Sequence, residues 1–184
     1  MGIIIFLLVI ILAAIIWFFG TYNGLIRLRN QVKNAWAQID VQLKRRYDLI
    51  PNLVEVAKRY MAHEKDVLEN VTKARSQAID ARGAKKQAEA ENFLTQTLRS
   101  LFAVVENYPN LKADQNMRNL HEELTSTENK ISFSRQYYND EVMRYNIRIQ
   151  SVPANIVANL FNFSPEELFE ITDTGQREAV KVKF

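Results

Sequence analysis

The 184-residue sequence has no cysteine, five glycines, four prolines, two histidines and no charged side chain before Arg27. Each shortage excludes something. Without cysteine there can be no disulfide, thiolate metal site, cysteine nucleophile or lipidated N-terminal cysteine. Glycines at positions 2, 20, 24, 83 and 175 cannot compose a G-x-G-x-x-G loop, a Walker A loop or a G-x-S-x-G elbow. With 47% hydrophobic residues and so little glycine and proline, disorder and collagen-like repetition are excluded as well. His63 and His121 each precede a glutamate, but Val67 and Thr125 stand where H-E-x-x-H needs its second histidine. Tyr60 and Arg118 stand where a bundle di-metal site needs glutamate. The expectation is no catalytic residue, no metal ligand and no cofactor.

What is present is sharply partitioned. Gly2 to Phe19 reads GIIIFLLVIILAAIIWFF, and 18 helical residues cover roughly 27 Å, close to a bilayer's hydrocarbon core. Ile3, Phe6, Leu7, Ile11, Ile15, Trp17, Phe18 and Phe19 are the expected membrane-facing residues. Trp17, Phe18, Phe19 and Tyr22 cluster at one end, where aromatic rings favour the membrane–water boundary. A signal peptide would want a basic region before the run and an A-x-A-like site after it. Here only Met1 and Gly2 precede it and GTYNG follows, which predicts an uncleaved anchor.

The segment from Arg27 to Arg46 holds Arg27, Arg29, Lys33, Lys44, Arg45 and Arg46 against Asp40 alone, a balance of +5. Positive residues beside a span are retained on the cytoplasmic side, so the body is expected in the cytoplasm and Met1 outside. The same charges suit anionic lipid, whereas a nucleic-acid reader would show a base-reading motif and more than a net +3.

The body has a helical period. Leu25, Leu28, Val32, Ala35, Trp36, Ile39, Leu43, Tyr47 and Ile50 recur at steps of one, three or four, and Pro51 is expected to kink or interrupt that helix. Gly20, Thr21, Asn23 and Gly24 make either a joint or part of one long helix; the residues allow both. A second stripe runs through Leu53, Val56, Ala57, Tyr60, Val67, Leu68, Val71, Ala74 and Ala78 to a stop at Gly83. A third helix, from about Lys86 to Tyr108, carries Phe93, Leu94, Leu98, Leu101, Phe102 and Val105. A fourth, from about Asp114 to Ile149, carries Met117, Leu120, Leu124, Ile131, Tyr138, Val142, Tyr145 and Ile149. Such segments predict an all-α antiparallel bundle. After it, Ser164-Pro165-Glu166-Glu167 has the pattern of a helix start, and Val180, Val182 and Phe184 alternate with lysines like a strand edge. The expected organisation is an anchor at 1–21, a bundle at 22–163 and a short helix with an extended tail at 164–184.

Some polar residues fall where apolar ones belong: Asp40, Arg46 and Asp48 along the first stripe, Glu128, Arg135, Asn139 and Asn146 along the fourth. A charge facing a core needs a partner, so these predict a polar network between the two helices. It either fixes register or serves as a ligand or partner site.

The chain is similar to the LemA family of bacterial membrane proteins. The likeness lies in Tyr22-Asn23, Ala35-Trp36, Ile39-Asp40, the run Arg45-Arg46-Tyr47-Asp48-Leu49-Ile50-Pro51-Asn52-Leu53-Val54, Arg75, Thr127-Glu128-Asn129-Lys130-Ile131, Arg135, Tyr138-Asn139, Tyr145-Asn146 and Pro153. It implies one N-terminal span in the bacterial inner membrane, a helical cytoplasmic domain and no established enzymatic activity. The combined expectation is a non-enzymatic membrane-anchored scaffold. It would contact lipid, itself (as a homo-oligomer, through Val180, Val182 and Phe184) or another membrane protein. A sensor of small ligands or ions, using the polar network, is the second expectation, and an uncharacterised enzyme working through carboxylates the third.

Overall fold

The computed structural model describes residues 1–170; the strand-like tail with Val180, Val182 and Phe184 lies outside them. The described chain is all-α, with α1 Gly2–Lys58, α2 Lys65–Asp80, α3 Ala84–Val105, α4 Pro109–Ala113, α5 Gln115–Gln150 and α6 Ala154–Leu160. The described residues divide into two units, Met1–Val41 with Ser132–Leu168, and Gln42–Ile131 with Phe169 and Glu170, and α1 and α5 contribute to both.

In the first unit α1 is continuous through Gly20 and Gly24, so the possible joint is helix. Packing holds it: Thr21 and Leu25 are buried, and the Tyr22 ring lies 4.6 Å from Phe161. That burial outweighs a glycine's cost of about 1 kcal/mol in a helix. Val32, Ala35 and Ile39 of α1, Val142, Tyr145 and Ile149 of α5, and Ala154, Val157 and Ala158 of α6 are its buried face. Trp36 is half-buried and meets Tyr138 edge-on at 5.2 Å.

The expected helix at Ser164 does not form; residues 163–170 are irregular. Their backbone groups are taken by α5 instead. Asn146 donates to the Glu166 carbonyl and accepts from the Glu166 N–H, both at 2.9 Å. The Tyr145 hydroxyl donates to the Ser164 carbonyl at 3.0 Å, and the Tyr138 hydroxyl to the Glu167 carbonyl at 2.8 Å. Positions 138, 145 and 146 share one helix face because seven residues make nearly two turns. An isolated helical turn is marginal, so a side-chain strip that satisfies the backbone directly overrides the capping signal.

The second unit packs the end of α1, α2, α3, α4 and the start of α5 around Ile50, Leu53, Met61, Leu94, Leu101 and Leu111. The first break in α1 comes after Lys58 and not at Pro51, so Leu53, Val56 and Ala57 belong to α1, and α2 begins at Lys65. Pro51 lacks the N–H that would reach the Tyr47 carbonyl four residues back. Arg75 of α2 fills that vacancy, its Nε donating to the Tyr47 carbonyl at 2.8 Å. The chain turns instead at 59–64, where the Tyr60 hydroxyl donates to Asp114 at 3.2 Å. Asp114 caps α5 through the N–H groups of Asn116 and Met117, and the Met117 bond above all holds its carboxyl below the ordinary range. Gly83, at φ +84°, makes the turn into α3 in a conformation that suits glycine. Phe93 faces solvent, 46% exposed, and Tyr60 is also exposed, so neither belongs to the core its period suggested.

Two measurements test these contacts. Arg75→Met is expected to cost about 1–3 kcal/mol by orphaning a carbonyl, and Pro51→Ala in the same chain to recover much of it by restoring the local donor; urea unfolding reads both. Burial, reinforced by Glu166 and Glu167, pushes the Tyr138 phenol up from 10.0 to about 12. A raised folded value means the neutral form is favoured, so its contribution is complete below pH 10 and lost as pH climbs toward 12. Tyr138→Phe is expected to cost about 1 kcal/mol and to reduce that alkaline loss in thermal unfolding.

Candidate functional site

Position 46 falls on the buried stripe of α1, between Leu43 and Ile50, and there the chain places an arginine whose side chain is 1% exposed. A guanidinium cannot be neutralised by losing its proton, so it must be met by carboxylates. Two meet it in the second unit: Glu91 of α3 and Glu128 of α5 both form ion pairs with Arg46. Thr95 completes the ring, accepting from Arg46 Nη1 at 3.0 Å and donating to Glu128 at 3.1 Å. Glu91, also 1% exposed, further accepts from the Tyr47 hydroxyl and from Gln87 Nε2, the latter at 2.7 Å. Gln87 in turn donates to the Ala78 carbonyl at 3.0 Å, tying the cluster to the last turn of α2.

The cluster carries one positive and two negative charges. Glu91 is enclosed by donors, while Glu128, with a side chain 40% exposed, faces a cavity of about 310 Å³. Arg99, Phe102, His121 and Leu124 also line that cavity, and the Phe102 and His121 rings meet edge-on at 4.2 Å. Among the described residues no group of three or more His, Asp or Glu is placed to hold a metal ion.

The expected polar network divides. Arg46 and Glu128 pair, but Asp48 is exposed and stands outside the cluster. Asp40 is exposed too, although partial desolvation raises its carboxyl above the ordinary range against a hydrogen bond from Trp36. Asn146 belongs to the strip that grips Glu166, while Arg135 and Asn139 are half-buried on the α5 portion of the first unit. The residues that complete the site, Glu91, Thr95, Gln87 and Tyr47, were not singled out for it. Their signal was present in the α3 period, since Gln87 and Glu91 occupy the face that Ala84, Ala88, Leu94 and Leu98 bury.

The basic segment divides as well. Arg46 is committed to the core and cannot serve lipid, and Arg45 faces Glu123 at 3.5 Å. Arg27, Lys33 and Lys44 are exposed, and the Arg29 guanidinium lies 5.1 Å from the Phe163 ring. The apolar end of α1 is bare: Ile3, Phe6, Leu7, Ile11, Ile15, Trp17 and Phe19 are 40–78% exposed, and Phe18 is half-buried. The stretch is long and apolar enough to cross a membrane, and its most apolar 18 residues are 0% buried.

An all-α chain with a bare apolar N-terminal helix and a carboxylate-clamped arginine in its bundle is the class these features define. The chain belongs to the LemA family, whose profile matches residues 35–184. It is 23% identical to magnetosome protein MamQ 2 of Paramagnetospirillum magneticum, over 92% of this chain and 73% of that one. It is 25% identical to protein LemA of Metamycoplasma hominis, over 91% of this chain and 78% of that one. Magnetosome protein MamQ of Magnetospirillum gryphiswaldense is 21% identical, over 84% and 66% respectively. None of these names denotes an enzyme.

The ion cluster makes a direct prediction. Glu91→Ala removes the fully buried acceptor of the Arg46 guanidinium and the Tyr47 hydroxyl, leaving Arg46 only the half-exposed Glu128, and is expected to cost about 3–5 kcal/mol, whereas adding Arg46→Met to that variant is expected to recover most of the loss. Chemical denaturation of the single and double variants measures the difference.

Proposed function

We propose that the protein is a non-catalytic, membrane-anchored scaffold that holds a helical bundle beside the inner leaflet. The observation that carries this reading is the bare N-terminal half-helix, uncharged through Ile26 and exposed on every side over its first residues. In water such a surface far exceeds the apolar patch a soluble monomer tolerates, and lipid is the solvent that suits it. Arg27, Arg29 and Lys33 follow within about 18 Å along the helix, which supports Met1 outside and the body in the cytoplasm.

Self-association is part of the reading. Phe133, Met143 and Ile147 of α5 are exposed by 71%, 53% and 58%, and confinement to a membrane raises the effective concentration of such surfaces. A second reading, a ligand sensor, draws on the cavity beside Glu128. A ligand held there would raise the melting temperature of the wild type and not of Glu128→Ala.

The absence of cysteine makes the anchor testable with single-cysteine variants. Gly2→Cys in intact cells is expected to react with a membrane-impermeant maleimide, and Val41→Cys only after lysis. Reaction of Val41→Cys in intact cells overturns the orientation, and release of the protein by alkaline carbonate overturns the anchor.

A further inference from the structure

The chain has a second uncharged run. From Ile149 to Pro165 no residue carries charge, and this run contains α6 and its two flanking turns. Ala154, Val157 and Ala158 face the protein, but Val152, Ile156, Leu160 and Phe161 remain 81%, 62%, 64% and 45% exposed. Ile156 and Leu160 are four apart, so they sit on one helix face.

The place of this face in the first unit matters more than its composition. The Phe161 ring lies 5.9 Å from Phe18 and 4.6 Å from Tyr22, and the Phe163 ring 6.0 Å from Tyr22. Phe18 and Tyr22 belong to the aromatic cluster that ends the apolar half of α1, at the depth where a spanning helix leaves the hydrocarbon. The exposed apolar face is thus continuous with the surface that lipid would cover. Arg148 immediately precedes the run, and Arg27 and Arg29 follow the span on α1; Glu166 and Glu167 come after it. Pro153, Asn155, Asn159 and Asn162 make the run too polar, and seven-residue α6 too short, to cross a bilayer.

We propose that the 151–163 segment is a second, interfacial membrane anchor: α6 lies in the headgroup region beside the exit of α1, with Val152, Ile156, Leu160 and Phe161 in lipid. An amphipathic helix in that position sinks its apolar face about 5–10 Å below the membrane surface. The two contacts, one spanning and one lying flat, fix the rotation and tilt of the first unit against the membrane, which a single helix leaves free. This inference rests on the anchored reading above.

The test is nitroxide labelling of the full-length protein in vesicles of phosphatidylcholine and phosphatidylglycerol. Single variants Ile156→Cys and Leu160→Cys are compared with Ile10→Cys in the span and Val41→Cys on the body. The ratio of collisions with oxygen to collisions with a water-soluble nickel chelate is expected to rise several-fold at 156 and 160 over 41, and to be highest at 10. If positions 156 and 160 meet the chelate as freely as 41 while 10 stays protected, the interfacial anchor is refuted and the span stands. If 156 and 160 are shielded from both reagents, protein covers the face, a second copy included, and the lipid assignment falls. If position 10 itself meets the chelate freely, the anchored reading fails and this inference with it.

Discussion

A guanidinium held away from water keeps its charge, so every element around Arg46 is constrained to answer it. Glu91 brings α3, Glu128 brings α5, and Gln87 adds the end of α2 through the Ala78 carbonyl. Hydrophobic packing is non-directional, and helices with similar apolar stripes can slide past one another at modest cost. The ion cluster removes that freedom, because a shift of one turn on either α3 or α5 would separate a carboxylate from its partner by about 5 Å.

The same demand, that buried polar groups find partners, explains two further features. The proline inside α1 leaves the Tyr47 carbonyl without its helical donor, and Arg75 supplies one from α2. The segment after α6 has backbone groups that no helix satisfies, and Tyr138, Tyr145 and Asn146 satisfy them from α5. In each case a long polar side chain reaches across to a neighbouring element's backbone. The first unit is thereby closed around its aromatic end, where Phe161 and Phe163 meet Tyr22 beside the apolar half of α1.

Much of this was legible from residue order, and the failures follow a rule. The stripes of α1 and α5 are buried or half-buried along their periods, from Leu25 to Ile50 and from Met117 to Ile149, with Leu28, Trp36, Tyr47 and Leu120 the half-buried members. Arg46 and Glu128 were visible as polar intrusions on apolar faces. Glu91 was hidden because a glutamate in a charged, lysine-rich helix start looks solvated until its neighbours on the face are counted. Asp48 misled in the opposite direction: two residues from buried Arg46 and from buried Ile50, it is turned about 200° along the helix from each and reaches water. Ser164 was read by a strong local rule that partners distant in sequence overruled, and Pro51 does not interrupt α1, which continues to Lys58.

By itself, the sequence determined that the chain is all-α, that its first residues are too apolar for water, and that the chemistry of cysteines, glycine loops and paired histidines is absent. Those properties depend on composition and on spacing within a few turns, and both can be read along a single segment. Only the tertiary structure decided which polar residues meet, where the first helix ends, and that an uncharged stretch after α5 rests against the aromatic end of the apolar half of α1. These depend on which donors and acceptors come within about 3 Å of one another across many intervening residues, and local periodicity carries no information about that distance.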